Sequence, residues 1–133
     1  MYGYAGNVDR ALAYAERAAR LDPVEKFSFG PNFAFAVAHF VAGRYETTLE
    51  YTGKNLRYNP NNTSALRFHA ACLGLLGRID DGRRAVQRLL AVAPGWTLRR
   101  IRYRYEMELN NIFKTPGVVD ALCEGLRLAG LPE

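Results

Sequence analysis

Metal and proton chemistry need imidazole, thiolate or carboxylate groups gathered at one place, and this chain holds only two histidines, His39 and His69, and two cysteines, Cys72 and Cys123. Zinc takes three or four such ligands, and Cys72 is the only attractive third donor for the two imidazoles. The expectation is therefore no metal and no cofactor, with both histidines at positions that a helical core would fill. Asp80 and Asp81 are neighbours in sequence, so on a helix they point different ways and cannot face each other as acid and base. A Gly-x-Ser-x-Gly elbow, a phosphate-binding glycine loop and a His-Glu-x-x-His helix are all missing from the sequence. Nothing argues for catalysis, and the expected activity is non-enzymatic.

Binding chemistry is better represented. Arg83, Arg84, Arg88, Arg99, Arg100, Arg102 and Arg104 fall in a stretch without an acid between Asp81 and Glu106, interleaved with Trp96, Tyr103 and Tyr105. Guanidinium groups pair with phosphates and aromatic rings stack on bases. Helical spacing, however, spreads these arginines over more than one face, and no nucleic-acid-binding motif accompanies them. A solvated basic surface that meets the acidic flank of a partner domain is the favoured reading, with nucleic acid disfavoured. The formal net charge of +5 and pI near 9.5 keep the chain soluble and mildly attractive to polyanions. Lys26, Lys54 and Lys114 are its lysines, and so strong a bias to arginine fits genome base composition as readily as ligand choice.

The elements that must position these groups follow from the rest of the chain. With 133 residues, 49% hydrophobic and 23% charged, it can bury roughly two thirds of its unfolded surface without a disulfide framework or structural metal. Cys72 and Cys123 sit in helix-like apolar patterns, as reduced core thiols of a cytoplasmic protein would. The longest apolar run, from Phe33 to Ala42, contains His39 and stops at Gly43, short of the roughly 18 to 20 residues a spanning helix needs. Met1 to Gly6 has neither the basic head nor the apolar run of a signal peptide. The sequons at Asn61 and Asn62 therefore carry no meaning in the expected cytoplasmic setting, and no membrane partner is expected.

An internal repeat organises the chain. Gly6-Asn7-Val8-Asp9, Gly43-Arg44-Tyr45-Glu46 and Gly77-Arg78-Ile79-Asp80 share the order Gly, polar, apolar, acidic. A proline closes each unit at the same interval, Gly6 to Pro23, Gly43 to Pro60 and Gly77 to Pro94. The step from Gly43 to Gly77 equals that from Pro60 to Pro94, whereas the step from Gly6 to Gly43 is longer by three. That difference places three extra residues in the join over 24–31. Each unit reads as a helical hairpin: Gly ends one helix in a left-handed cap, the acid enters the first turn of the next, and Pro stops it. Small residues Ala11, Thr48 and Gly82 recur five residues after the Gly, and Ala36 and Ala70 are one repeat apart on the preceding helices, where helices must approach closely. Helices are predicted near 7–21, 32–42, 45–57, 63–76, 79–92, 96–105 and 116–129, with Thr97 and Thr115 as N-caps and Pro116 in the first helical position. No segment argues for a strand.

The period of 34, the Gly before the second helix, the small residues and the closing Pro resemble the tetratricopeptide repeat family. Ala36 and Ala70 match the small residue of that family's first helix, Ala11, Thr48 and Gly82 that of its second, and the prolines its terminator. Departures occur where Asn32 and Leu66 replace the usual Trp, His39 and Leu73 the first-helix Tyr, and Asn55 and Leu89 the late Ala. The resemblance implies an all-α fold, a right-handed α-solenoid of helical hairpins with C-terminal capping helices. It would form a single domain over 1–133, with a partial repeat at 1–23, repeats at 29–60 and 63–94, and a helical cap at 95–133. The run from Phe33 to Pro60, the Gly77-Arg78-Ile79-Asp80 box and the closing Gly125-Leu126-Arg127-Leu128-Ala129-Gly130-Leu131-Pro132-Glu133 also resemble the C-terminal repeat regions of bacterial class III adenylate or guanylate cyclase-like signalling proteins. Similar tails follow winged-helix transcription regulators. The implied role is a regulatory or scaffolding segment, with the cyclase chemistry in a domain upstream. The alternatives are a transcription-regulator tail and a basic nucleic-acid-binding helical module.

Two binding faces are expected. The first helices would line a concave groove with Phe33, Val37, Phe40 and Val41 from one unit and Arg67, Phe68, Ala71 and Leu75 from the next. That groove would take an amphipathic or extended peptide, with Arg67 pairing to an acidic group. The competing expectation is that the C-terminal helices, through Leu122, Leu126 and Leu128, fold back into it. The Lys and Asn groups with which some family members clamp a peptide's terminal carboxylate are not matched. The leading unit lacks most of its first helix, so the stripe Val8, Leu12, Ala15 and Ala19 would need cover from upstream sequence or a second copy, and a homodimer is expected.

Overall fold

Two turns set the architecture of the computed structural model, which describes Ala13 and residues 31–104 and 117–133. Gly43 and Gly77 both take φ of 79°, a left-handed conformation that L side chains adopt only with strain. The amides of Gly43 and Arg44 donate to the carbonyls of Phe40 (3.0 Å) and His39 (2.8 Å). Those of Gly77 and Arg78 donate to Gly74 (3.2 Å) and Leu73 (2.9 Å). This paired bonding satisfies the last carbonyls of a helix before the chain reverses. A Cβ on either glycine would meet nothing within 4 Å, so Gly77→Ala is expected to cost backbone strain alone, about 1 to 2 kcal/mol. A shift of the urea midpoint at constant slope would measure it.

The turns join α1 (Pro31–Val41) to α2 (Tyr45–Tyr58), and α3 (Thr63–Leu75) to α4 (Ile79–Val92). Glu46 lies in the first turn of α2, and Asp80 and Asp81 in that of α4, where carboxylates favour the positive end of the helix dipole. α2 and α4 end alike, at Asn59 (φ −138°) and Ala93 (φ −141°), each immediately before a proline. α3 is capped by Asn62, whose side chain accepts from the Ala65 amide at 3.2 Å. Every described element is helical, with α5 (Leu98–Tyr103) and α6 (Val118–Leu128) completing the order.

Thr97 caps α5, accepting from the Arg100 amide at 3.2 Å. α6 begins later than the sequence predicts. Gly117 has φ of 86°, outside the helical region, so Val118 is the first residue of α6. The predicted cap at Thr115 with Pro116 behind it, the helix over 7–21, the small residue Ala11 and the insertion expected over 24–31 lie outside the described residues, save for Ala13 and the helical Pro31.

The core joins the hairpins through aromatic rings. Phe68 of α3 is edge-on to Phe33 (centroids 5.6 Å, 74°) and Phe40 (5.1 Å, 83°) of α1. Leu66, Leu89, Ile101, Leu122 and Leu126 are fully buried with it. α6 packs mainly on α3 and also touches α4 and α5. At the α3–α6 crossing backbone meets backbone: a Cβ on Gly125 would lie 2.9 Å from the Ala71 Cα, and one on Gly74 would overlap the Gly125 carbonyl. Gly82 stands under Ala129, where an added Cβ would lie 3.0 Å from the Ala129 side chain. The tail returns over α5, where the Leu98 amide donates to the Pro132 carbonyl at 2.8 Å.

Candidate functional site

The groove residues expected from the sequence lie in the interior. Phe33, Val37, Phe40, Val41, Arg67, Phe68 and Ala71 are buried, and Leu75 is half-buried. They therefore do not line an open groove. Ala71 is covered by the backbone of α6 at Gly125, and the ring of Phe68 is spent on Phe33 and Phe40. Arg67 is 3% exposed. Its guanidinium donates to Ser64 Oγ at 3.1 Å and lies 4.4 Å from the centroid of Trp96, so it is held within the fold instead of being presented to an acidic ligand.

Trp96 explains much of the basic stretch. Its ring is buried, with Arg100 at 4.8 Å and Arg104 at 6.0 Å from the centroid in addition to Arg67. Such cation–π contacts contribute about 0.5 to 2 kcal/mol each, and they take this ring away from any role in stacking on bases. Arg83, Arg84 and Arg88 occupy the exposed outer face of α4, where Arg84 pairs with Asp81. Arg99, Arg100 and Arg102 are exposed on α5, Arg102 is 2.9 Å from Asp120 of α6, and Arg104 is half-buried. The seven arginines thus serve three settings: an outer helix face, an indole and a charged cleft. Val8, Leu12, Ala15 and Ala19, the expected self-association face, lie outside the described residues.

The cleft lies between α5 and α6 and has a volume of about 470 Å³. Leu98 and Cys123 line it together with Arg99, Arg102, Arg127, Asp120, Glu124 and Glu133. Arg102 pairs with Asp120 and Arg127 with Glu124, so its positive charge is largely answered within its own walls. Sequence reasoning missed this site, because its α5 and α6 contributors are far apart along the chain and share no local pattern.

A second feature missed at the sequence level is a polar seam between the hairpins. Thr48, Thr52 and Asn55 are buried on one face of α2, at helical spacing. Thr48 lies beside the Cys72 thiol, and its hydroxyl is 3.0 Å from the Arg44 carbonyl and 3.3 Å from the Ala36 carbonyl. Thr52 Oγ1 is 2.7 Å from His69 Nδ1, and Asn62 donates to Asn55 Oδ1 at 2.5 Å. The equivalent α4 residues, one repeat on, are Gly82, Val86 and Leu89, and they present an apolar face. That contrast is visible once the repeats are aligned, and it is the signal that could have found the seam.

Burial pushes the Cys72 thiol far up, leaving it an inert thiol instead of a nucleophile. Burial also holds His69 below its ordinary value, against the opposing charge of Asp81. His39 is lowered by burial and then by Arg44; its ring stacks on Tyr51 (5.6 Å, 6°), and Tyr51 stacks in turn on Phe35 (5.4 Å). Among the described residues no group of three His, Cys, Asp or Glu side chains is placed to hold a metal ion, and no helix is long and apolar enough to cross a membrane. Comparison with protein-family models, with curated proteins and with solved structures finds no match to this chain.

Proposed function

We propose that the chain is a non-catalytic, tetratricopeptide-type interaction module, the C-terminal segment of a bacterial cyclase-like signalling protein, which pairs copies or docks on an upstream domain. The observation that carries the reading is the equivalence of its two hairpins. The turns at Gly43 and Gly77 share φ of 79° and the same pair of capping bonds. A chain that repeats its backbone geometry along its length builds surface by stacking, and such surfaces serve binding. With the first-helix residues interior, contact with a protein partner falls on exposed faces. These are the outer side of α4 with Arg83, Arg84 and Arg88, and the rim of the α5–α6 cleft.

Light scattering across a concentration series tests the pairing. The expected result is a mass that rises from 14.9 kDa toward twice that value. A second arm uses Arg83→Glu, Arg84→Glu and Arg88→Glu together, substitutions on an exposed face that leave the fold intact and weaken association. A single-chain mass at every concentration overturns the pairing. Tight, salt-dependent binding to short DNA or RNA duplexes would instead identify a polyanion-binding module.

A further inference from the structure

We infer that the α2–α3 seam is an acid-sensitive joint, at which protonation of His69 loosens the first hairpin from the second while α6 stays docked. The joint does not depend on the identity of any partner. Its basis is the contrast between two junctions of one repeat. Between α2 and α3 the contacts are Thr48 with Cys72, Thr52 with His69 and Asn55 with Asn62. Between α4 and α6 the corresponding face carries Gly82, Val86 and Leu89, with Gly82 against Ala129. An apolar junction is indifferent to pH, whereas one that buries a titrating imidazole is weakened when that group gains a charge.

His69 is the titratable group inside the polar junction. Its Nδ1 meets the Thr52 hydroxyl at 2.7 Å, and that hydroxyl also lies 3.1 Å from the Thr48 carbonyl and 3.3 Å from the Leu49 carbonyl. Along the seam α2 offers hydroxyls and an amide, and its Lys54 is turned over the Tyr51 ring. From α1, His39 is engaged with Tyr51 and Arg44. On α3 itself Cys72 stays a neutral thiol and Arg67 lies over Trp96. Asp81 of α4 acts on His69 from a distance and also pairs with Arg84, while Asp120 and Glu124 of α6 pair with Arg102 and Arg127. An imidazolium in the seam thus meets the Thr52 hydroxyl, with the Asp81 charge shared, and its burial is what opposes it.

The sign follows from linkage. A half-buried imidazole that holds its proton less tightly than the open form favours the closed joint at neutral pH. The closed state weakens as pH falls below about 6.5, the ordinary histidine value, and levels off once the closed form is itself protonated. One proton changes the opening equilibrium by at most about tenfold per pH unit.

Amide hydrogen exchange of the full chain at pH 7.5, 6 and 5, corrected for intrinsic rates, tests the joint. The expected result is exchange in α2 and the facing turns of α3 that rises as pH falls below 6.5, by no more than about tenfold per unit, with α6 protection unchanged. His69→Gln, which keeps a hydrogen-bonding group without a titrating one, abolishes the rise, whereas His39→Gln retains it. Unchanged protection of α2 at pH 5 overturns the inference. So does an equal loss in α6, which would mean global unfolding, or an acid response that survives His69→Gln.

Discussion

Gly125→Ala is expected to lower the free energy of unfolding by about 3 kcal/mol or more, at the upper end of what overpacking does. The new methyl would stand 2.8 Å from the Ala71 carbonyl carbon and 2.9 Å from its Cα, against backbone and not against a side chain that can rotate away. Gly74→Ala drives a methyl into the Gly125 carbonyl from the other helix and should act in the same direction. Close-packed interiors transmit such an overlap instead of absorbing it, so relief requires α6 to shift off α3. Leu122, Leu126 and Ala129, buried there, would then be exposed. Gly53 supplies the contrast. It lies inside α2 with open space around its missing Cβ, so Gly53→Ala should stabilise by about 0.5 to 1 kcal/mol through helix propensity. Urea unfolding of the three variants reads both signs, and an unchanged midpoint for Gly125→Ala would show that α3 and α6 do not cross there.

Phe68→Ala is expected to cost about 3 to 5 kcal/mol, the range for removing a fully buried ring. Among the described residues Phe68 is the largest side chain with no exposure, and it bridges Phe33 and Phe40 of the first hairpin. Removing it takes away both edge-to-face contacts, leaves a cavity and weakens the apolar link between the hairpins. In a domain of this size the melting temperature should fall by roughly 10 to 20 °C. Phe68→Leu keeps most of the volume and should lose less than half as much. A loss below about 1 kcal/mol for the alanine variant would place Phe68 outside the core.

The helices were legible in the sequence because their ends are decided locally. A Gly that can adopt positive φ, an acid one turn later and a Pro at a fixed interval beyond are cues carried within one hairpin. The predicted limits 45–57 and 79–92 therefore agree closely with Tyr45–Tyr58 and Ile79–Val92. Thr97 was legible for the same reason, since its hydroxyl bonds an amide within the next turn. The start of α6 at Val118 was not legible, because the left-handed conformation of Gly117 is not announced by a local cap pattern. The polar seam was legible in principle. Thr48, Thr52 and Asn55 stand one repeat before Gly82, Val86 and Leu89, but their partners are visible only when α3 is laid against α2.

Burial was the part that composition and spacing could not assign. An apolar stripe on a first helix has the same pattern whether it lines a groove or fills a core, because periodicity tells which residues share a face and not what covers that face. Arg67 reads as a ligand-facing cation until Trp96, brought back from beyond the end of α4, lies across it. Gly74 and Gly125 read as local costs in helix propensity until two backbones meet at them. The sequence alone determined the repeat, the helix ends at the two hairpin turns and the all-helical character of the described residues, since these depend on interactions within a few turns. Tertiary structure alone decided that α6 covers α3, that Trp96 takes up the arginines, and that one junction is polar while the next is apolar, since each depends on which distant surfaces exclude water together.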